Sequence, residues 1–221
     1  GHSHRAWIGG EPGVDRTRLA RELIVYARLS GAMVLRGGCY EYEAATPYMP
    51  FAEALRDWVS TRSPDELRAQ LNSNAFELSR LAPEIEAKLG ALPPSPPLPA
   101  NDERLRLFDH IARFLQKIAG ERGLLLFIDD LHWADHGTIA LLHYWMRRLR
   151  HERVLVLAAY REIELDRSRP LSDALVEWNR ERLALRIPLG RLPYEGTCSM
   201  LCGLLGLNNV SDEFADLIQR E

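Results

Sequence analysis

Apolar residues along this chain follow two rhythms, short unbroken runs and longer stretches in which they recur every three or four positions. Their alternation predicts strands separated by helices. Residues 5–8 read as a short first strand. Beyond a glycine-bearing turn, Leu19, Leu23 and Tyr26 share one helical face, with Ala20, Ile24 and Ala27 beside it, in a helix ending near Gly31. Residues 32–36 read as a second strand, closed by a Gly37-Gly38 break. An aromatic loop with Tyr40, Tyr42 and Tyr48 follows, bounded by Pro47 and Pro50.

From residue 51 to about 91 the pattern is helical throughout, broken at Ser63-Pro64, at 72–74 and at Pro83, so a helical insertion follows the second strand. Residues 92–100 hold five of the 13 prolines, which predicts an extended connector with few hydrogen bonds of its own and freedom to move. Asn101 stands where an N-cap belongs, with Asp102 and Glu103 in the first turn; Leu105, Phe108, Ala112 and Leu115 carry that helix to about Ala119. Residues 124–128 are an unbroken apolar run ending in Asp129-Asp130, as in a strand buried on both faces of a parallel sheet. A helix over 135–150, a buried strand over 154–159 ending in Tyr160-Arg161, a helix over 171–182 and a last strand over 184–187 continue the series. Two further helical patterns, split at Asn208-Asn209, fill 193–221 and read as the start of a helical lid. The class is α/β, a doubly wound parallel sheet flanked by helices in one domain over 1–221, with ligands expected beyond the carboxyl ends of the strands.

The composition agrees with a soluble globular domain: 221 residues, 46% of them hydrophobic and 27% charged, which excludes wholesale disorder. The 28 basic and 31 acidic residues leave a net charge of -3, too little positive field to hold a nucleic-acid backbone directly. No run approaches the roughly 18 apolar residues of a spanning helix, and the expected location is the cytoplasm, away from membranes. The three cysteines form no disulfide framework; Cys198 and Cys202, one helical turn apart, read as packing thiols.

Candidate chemistry gathers at two strand ends. Gly10-Glu11-Pro12-Gly13-Val14-Asp15-Arg16-Thr17 occupies the place of a phosphate loop between the first strand and first helix, with Arg18 next to it. In such a loop backbone N–H groups and the helix N-terminus cradle phosphates, a lysine reaches the outer oxygens, and a hydroxyl binds magnesium. Here Asp15 stands for the second glycine and Arg16 for the lysine, and a planar guanidinium does not replace a compact ammonium, so weaker nucleotide binding is expected. A bland glycine-rich turn is the competing reading. Asp129 and Asp130 supply one acid suited to Mg²⁺ and a second suited to orienting a water, or else two solvated carboxylates at a strand end. Arg161, on the same sheet edge, is either a γ-phosphate sensor or a surface arginine. His132 and His136 are four apart, but without H-E-x-x-H a zinc site is disfavoured, and Asp135 reads as a helix cap. Trp133 and Trp145 read as packing residues, and the basic cluster Arg147, Arg148, Arg150 and His151 as a solvated helix end.

Five strings occur together: Gly-Glu-Pro-Gly-Val-x-x-Thr-Arg-Leu-Ala at 10–20, Leu-Arg-Gly-Gly-Cys-Tyr-Glu at 35–41, Pro-Tyr-Met-Pro-Phe at 47–51, Ile-Asp-Asp-Leu-His-Trp-Ala-Asp at 128–135 and Ala-Tyr-Arg-Glu at 159–162. With them the chain resembles the AAA-like ATPase module of the signal-transduction ATPases with numerous domains (STAND), found in large LuxR-type transcriptional regulators and fused to some class III adenylyl cyclases. The resemblance implies a P-loop NTPase fold of the additional-strand (ASCE) type that switches between ADP and ATP states. It further implies magnesium-side roles for Thr17 and Asp129, a water-polarising role for Asp130 and a sensor role for Arg161, with ATP or ADP and Mg²⁺ as ligands. Partners would be neighbouring lid, sensor or repeat, and effector domains, and the family would continue past Glu221 into a winged-helix lid. The expectation is a nucleotide-binding regulatory module with slow or impaired hydrolysis; the alternative is a non-catalytic scaffold working through protein contacts.

Overall fold

The computed structural model describes residues 4–10, 16–43, 46–148, 152–165 and 168–220. Five strands, β1 (His4–Gly10), β2 (Met33–Gly38), β3 (Leu124–Asp129), β4 (Val154–Arg161) and β5 (Leu185–Leu189), form one parallel sheet in the order β2-β3-β4-β1-β5. β4 therefore lies between the strand that ends at Gly10 and the strand that carries Asp129.

The apolar run of β3 divides by parity, as the two-residue period of a strand requires. Leu125 and Phe127 pack with Ala6, Ile8, Leu157 and Ala159 against Ala20 and Ile24 of helix α1 (Arg16–Leu29). Leu124, Leu126 and Ile128 face a larger core on the other side of the sheet. Five consecutive side chains of β3 are buried, each contributing about 2 kcal/mol of hydrophobic stabilisation.

That larger core is built on the helical insertion, α2 (Met49–Ser60), α3 (Pro64–Leu71), α4 (Ala75–Ser79) and α5 (Glu84–Leu89), together with α6 (Ala100–Ala119), α7 (His136–Arg148) and α8 (Arg169–Arg180). The Ser63-Pro64 break is a capping box: the Ser63 side chain accepts from the Glu66 N–H, and Glu66 accepts from the Ser63 N–H. Trp145 packs edge-on against Phe51 at 4.8 Å, and Trp7 of β1 meets Trp178 at 4.9 Å. Helices α9 (Tyr194–Leu205) and α10 (Asp212–Arg220) pair around a small cluster of Leu201, Val210 and Ala215, with Cys198 and Cys202 packed against it.

Four sequence expectations need correction. Gly37 and Gly38 do not break the second strand but are its last two residues. The start of α2 comes so close that a Cβ on Gly37 would collide with the Pro50 carbonyl, so glycine is required for backbone approach and not for a turn. Asn101 is not the cap of α6. Pro99 holds that place, its carbonyl accepting the Asp102 and Glu103 N–H groups at 2.9 and 3.0 Å, and Asn101 lies inside the first turn, bonded to Arg104. The proline connector lacks regular structure but is tied down: Arg106 donates to the Pro96 carbonyl at 2.5 Å and the Leu98 N–H to Glu103 at 3.5 Å. Finally, the basic end of α7 is more than a solvated cluster. Arg147 pairs with Glu181, and Arg148 with Asp109 of α6 at 3.0 Å; residues 150 and 151 lie outside the described residues.

Candidate functional site

Parallel pairing brings the carboxyl ends of the strands to one edge. Gly10 is opposite Arg161 and Gly38 opposite Asp129. Three of the sequence candidates, Gly10, Asp129 and Arg161, are thus the last residues of β1, β3 and β4.

Asp129 is half-buried and leaves its strand through Asp130, whose backbone is left-handed at φ 50°. That turn directs the Asp130 N–H onto Asp129 Oδ1 at 3.0 Å. Burial, and then the neighbouring Asp130 charge, push the Asp129 carboxyl above the ordinary carboxylate range; the Asp130 N–H, Arg16 and Arg36 act against the rise. A 3-10 turn over Leu131–Trp133 follows and buries His132 under the end of β4. The Arg161 backbone N–H donates to His132 Nδ1 at 3.4 Å, while Arg161 Nε and His132 Nε2 each stand 3.9 Å from Asp130 Oδ1.

Arg16, the first residue of α1, donates from its guanidinium to the Gly10 carbonyl. Burial and the Arg161 charge hold its pKa below the ordinary arginine value, and Asp130, Asp129 and Glu162 oppose that. Arg16, Arg161, Asp129 and Asp130 therefore form one electrostatic group. Thr17 is half-buried in the first turn of α1. Arg18 is exposed, and two positions along a helix from Arg16 it faces elsewhere. Glu11, Pro12, Gly13, Val14 and Asp15 lie outside the described residues.

Beside these carboxylates, at the ends of β2 and β3, opens a cleft of about 300 Å³ walled by Arg36, Tyr40, Glu53, Asp57, Asp129 and Asp130. Glu53 of α2 shapes it by accepting the Gly38 N–H at 2.7 Å. Cys39 lies buried in its floor, and burial together with the surrounding carboxylates pushes its thiol far up, leaving it inert. A smaller void of about 20 Å³ among Phe51, Leu78, Ile111 and Trp145 has an apolar lining and no group to orient a ligand. Asp135 is a cap, accepting the Gly137 and Thr138 N–H groups at 2.7 and 3.0 Å. Among the described residues no cluster of three His, Cys, Asp or Glu is arranged to hold a metal, and His132 turns to Asp130 and Arg161 instead. The sequence reading missed Arg36, Glu53 and Glu162. Glu53 lies outside the strand-end strings, and Arg36 and Glu162 entered only as letters of the strings at 35–41 and 159–162.

A five-stranded parallel sheet flanked by helices, with a strand inserted between the one ending at Gly10 and the one ending at Asp129, defines a P-loop NTPase fold of the AAA+ kind. The family described as an AAA ATPase domain matches residues 1–157, and the chain belongs to that family. No curated protein matches the sequence. Among solved structures, AMPPCP-bound DnaA from Aquifex aeolicus aligns with a TM-score of 0.48 at 14% identity, over 97% of this chain and 49% of that one. The ORC2 protein of Aeropyrum pernix, in ADPNP-ADP complexes, aligns with a TM-score of 0.39 at 15% identity, over 96% of this chain and 48% of that one. The chain spans about half the length of each.

Proposed function

We propose that this AAA ATPase domain is a cytoplasmic, nucleotide-binding regulatory module of the STAND type, working within a multidomain signal-transduction or LuxR-type transcriptional regulator. It binds ATP and ADP and hydrolyses ATP slowly. The observation that carries the reading is the convergence of Gly10, Arg16, Asp129, Asp130 and Arg161 on one sheet edge. The motif strings support the regulatory context, and neighbouring lid, sensor and effector domains are the partners this reading requires. Among the described residues no helix is long and apolar enough to cross a membrane.

In this reading Gly10 to Arg18 form the nucleotide loop, Arg161 senses the outer phosphate, and Asp130 polarises the attacking water. Thr17 and Asp129 hold magnesium. Their donors are hard oxygens, and a carboxylate raised by burial and by a second carboxylate is the charge arrangement a cation relieves, so the residues fit the ion. Magnesium bound with the nucleotide supplies neutralisation of phosphate charge. Arg16 and Arg36 already send positive charge to Asp129, which weakens the hold on the cation.

One contact favours a second reading. The Arg16 guanidinium is bonded back onto the Gly10 carbonyl, as in a loop whose cation serves the fold, and a non-catalytic scaffold acting through protein contacts would keep it so. Calorimetric titration with ATP and ADP, with and without magnesium, decides between them when repeated on the double variant Asp15→Gly with Arg16→Lys. Magnesium-dependent binding by the unaltered chain, lost in Asp129→Ala, is the expected result. Binding by the double variant alone would establish the scaffold.

A further inference from the structure

Two buried nitrogens approach Asp130 Oδ1 and stop short of it. His132 Nε2 and Arg161 Nε are each 3.9 Å away, outside hydrogen-bond range, and neither has a hydrogen-bond partner among the described residues. The His132 side chain is completely buried, so a donor left unmade there is unfavourable until a partner arrives.

The contact on the other side of the ring determines which nitrogen carries the proton. Nδ1 accepts the Arg161 backbone N–H, so it is bare, and the neutral imidazole bears its proton on Nε2. Burial acts the same way against the charged ring; Arg161 and Arg16 reinforce it, and Asp130 and Glu164 oppose it. The imidazole is thus a rigid strut between the main chain at the end of β4 and the carboxylate after β3. The Asp130 N–H is engaged by Asp129 Oδ1, which leaves rotation of the Asp130 side chain as the motion that closes the gap.

The geometry assigns His132 as a positioning residue for Asp130: its Nε2–H takes Oδ1 when the carboxylate turns inward, and Oδ2 alone then faces outward. This rests on the reading of Asp130 as the water-polarising acid, because a carboxylate free to rotate presents either oxygen whereas one held at Oδ1 presents a single oxygen in one direction. Arg161 aims at the same oxygen, so a phosphate that draws Arg161 away leaves His132 as the remaining donor.

Two amide substitutions separate this role from simple support of β4. Glutamine carries its amide at the reach of Nε2, and asparagine at the reach of Nδ1. In ATP hydrolysis by the full chain, His132→Asn is expected to lower kcat about tenfold with KM unchanged, and His132→Gln to recover most of the loss. The reverse order, activity kept by asparagine and lost by glutamine, would overturn the proposal. A second measurement needs no turnover: long-range ¹H–¹⁵N spectra of the nucleotide-free protein labelled at histidine. The signal lost in His132→Gln is expected to show the Nε2–H tautomer and to shift in Asp130→Asn. An Nδ1–H tautomer, or a signal indifferent to Asp130→Asn, overturns the proposal whether or not ATP is hydrolysed. Both spectral signs in a chain that hydrolyses no ATP would overturn the hydrolytic reading and leave the His132–Asp130 pairing established.

Discussion

Asp135 joins Tyr48 across 87 residues of chain: its Oδ2 accepts the Tyr48 backbone N–H at 3.2 Å. Tyr48 immediately precedes α2 and sits in left-handed backbone at φ 63°. The other oxygen caps α7. One carboxylate therefore sets where the helical insertion departs from the sheet and where α7 begins.

Replacing Asp135 removes both functions together. Asp135→Ala is expected to destabilise the fold by about 2 kcal/mol, the upper range for loss of a cap, read as a lower urea midpoint. Asp135→Asn keeps an acceptor and is expected to cost less.

The insertion holds a second electrostatic anchor. Glu77 is completely buried and meets Arg106 at 2.8 Å and Arg80 at 3.3 Å. Arg106, only 17% exposed, also holds the proline connector through Pro96. Glu77→Ala leaves that charge without its buried partner and is expected to cost about 3–5 kcal/mol. The exposed Arg56–Glu84 pair at 3.7 Å is the control: Glu84→Ala is expected to change stability by less than about 1 kcal/mol. Equal effects in urea unfolding would contradict the burial argument.

Two glycines are expected to respond in opposite directions to the same methyl group. Gly37→Ala drives a Cβ into the Pro50 backbone and should prevent soluble expression or lower the melting temperature sharply. Gly203, within α9, would place its Cβ in open space. Gly203→Ala is therefore expected to stabilise by about 0.5–1 kcal/mol through helix propensity, measurable as a small rise in melting temperature.

Stability should depend on pH through two histidines. Burial, the leading cause at each, holds His110 and His132 below the ordinary value of 6.5. Both rings are more basic in the unfolded chain, so unfolding takes up protons below that value. Their contribution is fully present above pH 6.5 and declines as pH falls through their folded values. His110 Nδ1 lies 2.7 Å from Asn74 Oδ1, and because an amide oxygen only accepts, the ring donates there and carries its proton on Nδ1. His110→Gln should flatten the acid limb of a plot of urea midpoint against pH; an unchanged slope would remove His110 from the account.

Much of the layered architecture was legible in the sequence because it rests on local periodicity. The apolar run before Asp129 read as a strand covered on both faces, and Asp135 announced a cap by its place before α7. The three-to-four spacing in α1 read as a helix with one apolar side, although the buried residues are Ala20 and Ile24 while Leu19 and Tyr26 of the expected face are exposed. The candidate site was legible as separate strings at strand ends, with no indication of which ends were neighbours.

Strand order, and with it the site's geometry, came from tertiary structure. β1 pairs with β4 and β5, strands about 150 to 180 residues further along the chain, and no periodicity within either segment encodes that choice. Gly37 looked like a turn because the Pro50 backbone that presses on it belongs to the next helix. The proline connector looked free because its anchor, Arg106, lies on α6. His132 had no role in the sequence beyond a disfavoured pairing with His136, and a 3-10 turn places it between Asp130 and Arg161. Periodicity tells each segment which face to bury, since backbone geometry repeats within it; which partner covers that face is decided by packing and hydrogen bonding between segments, and those meet only in the folded chain.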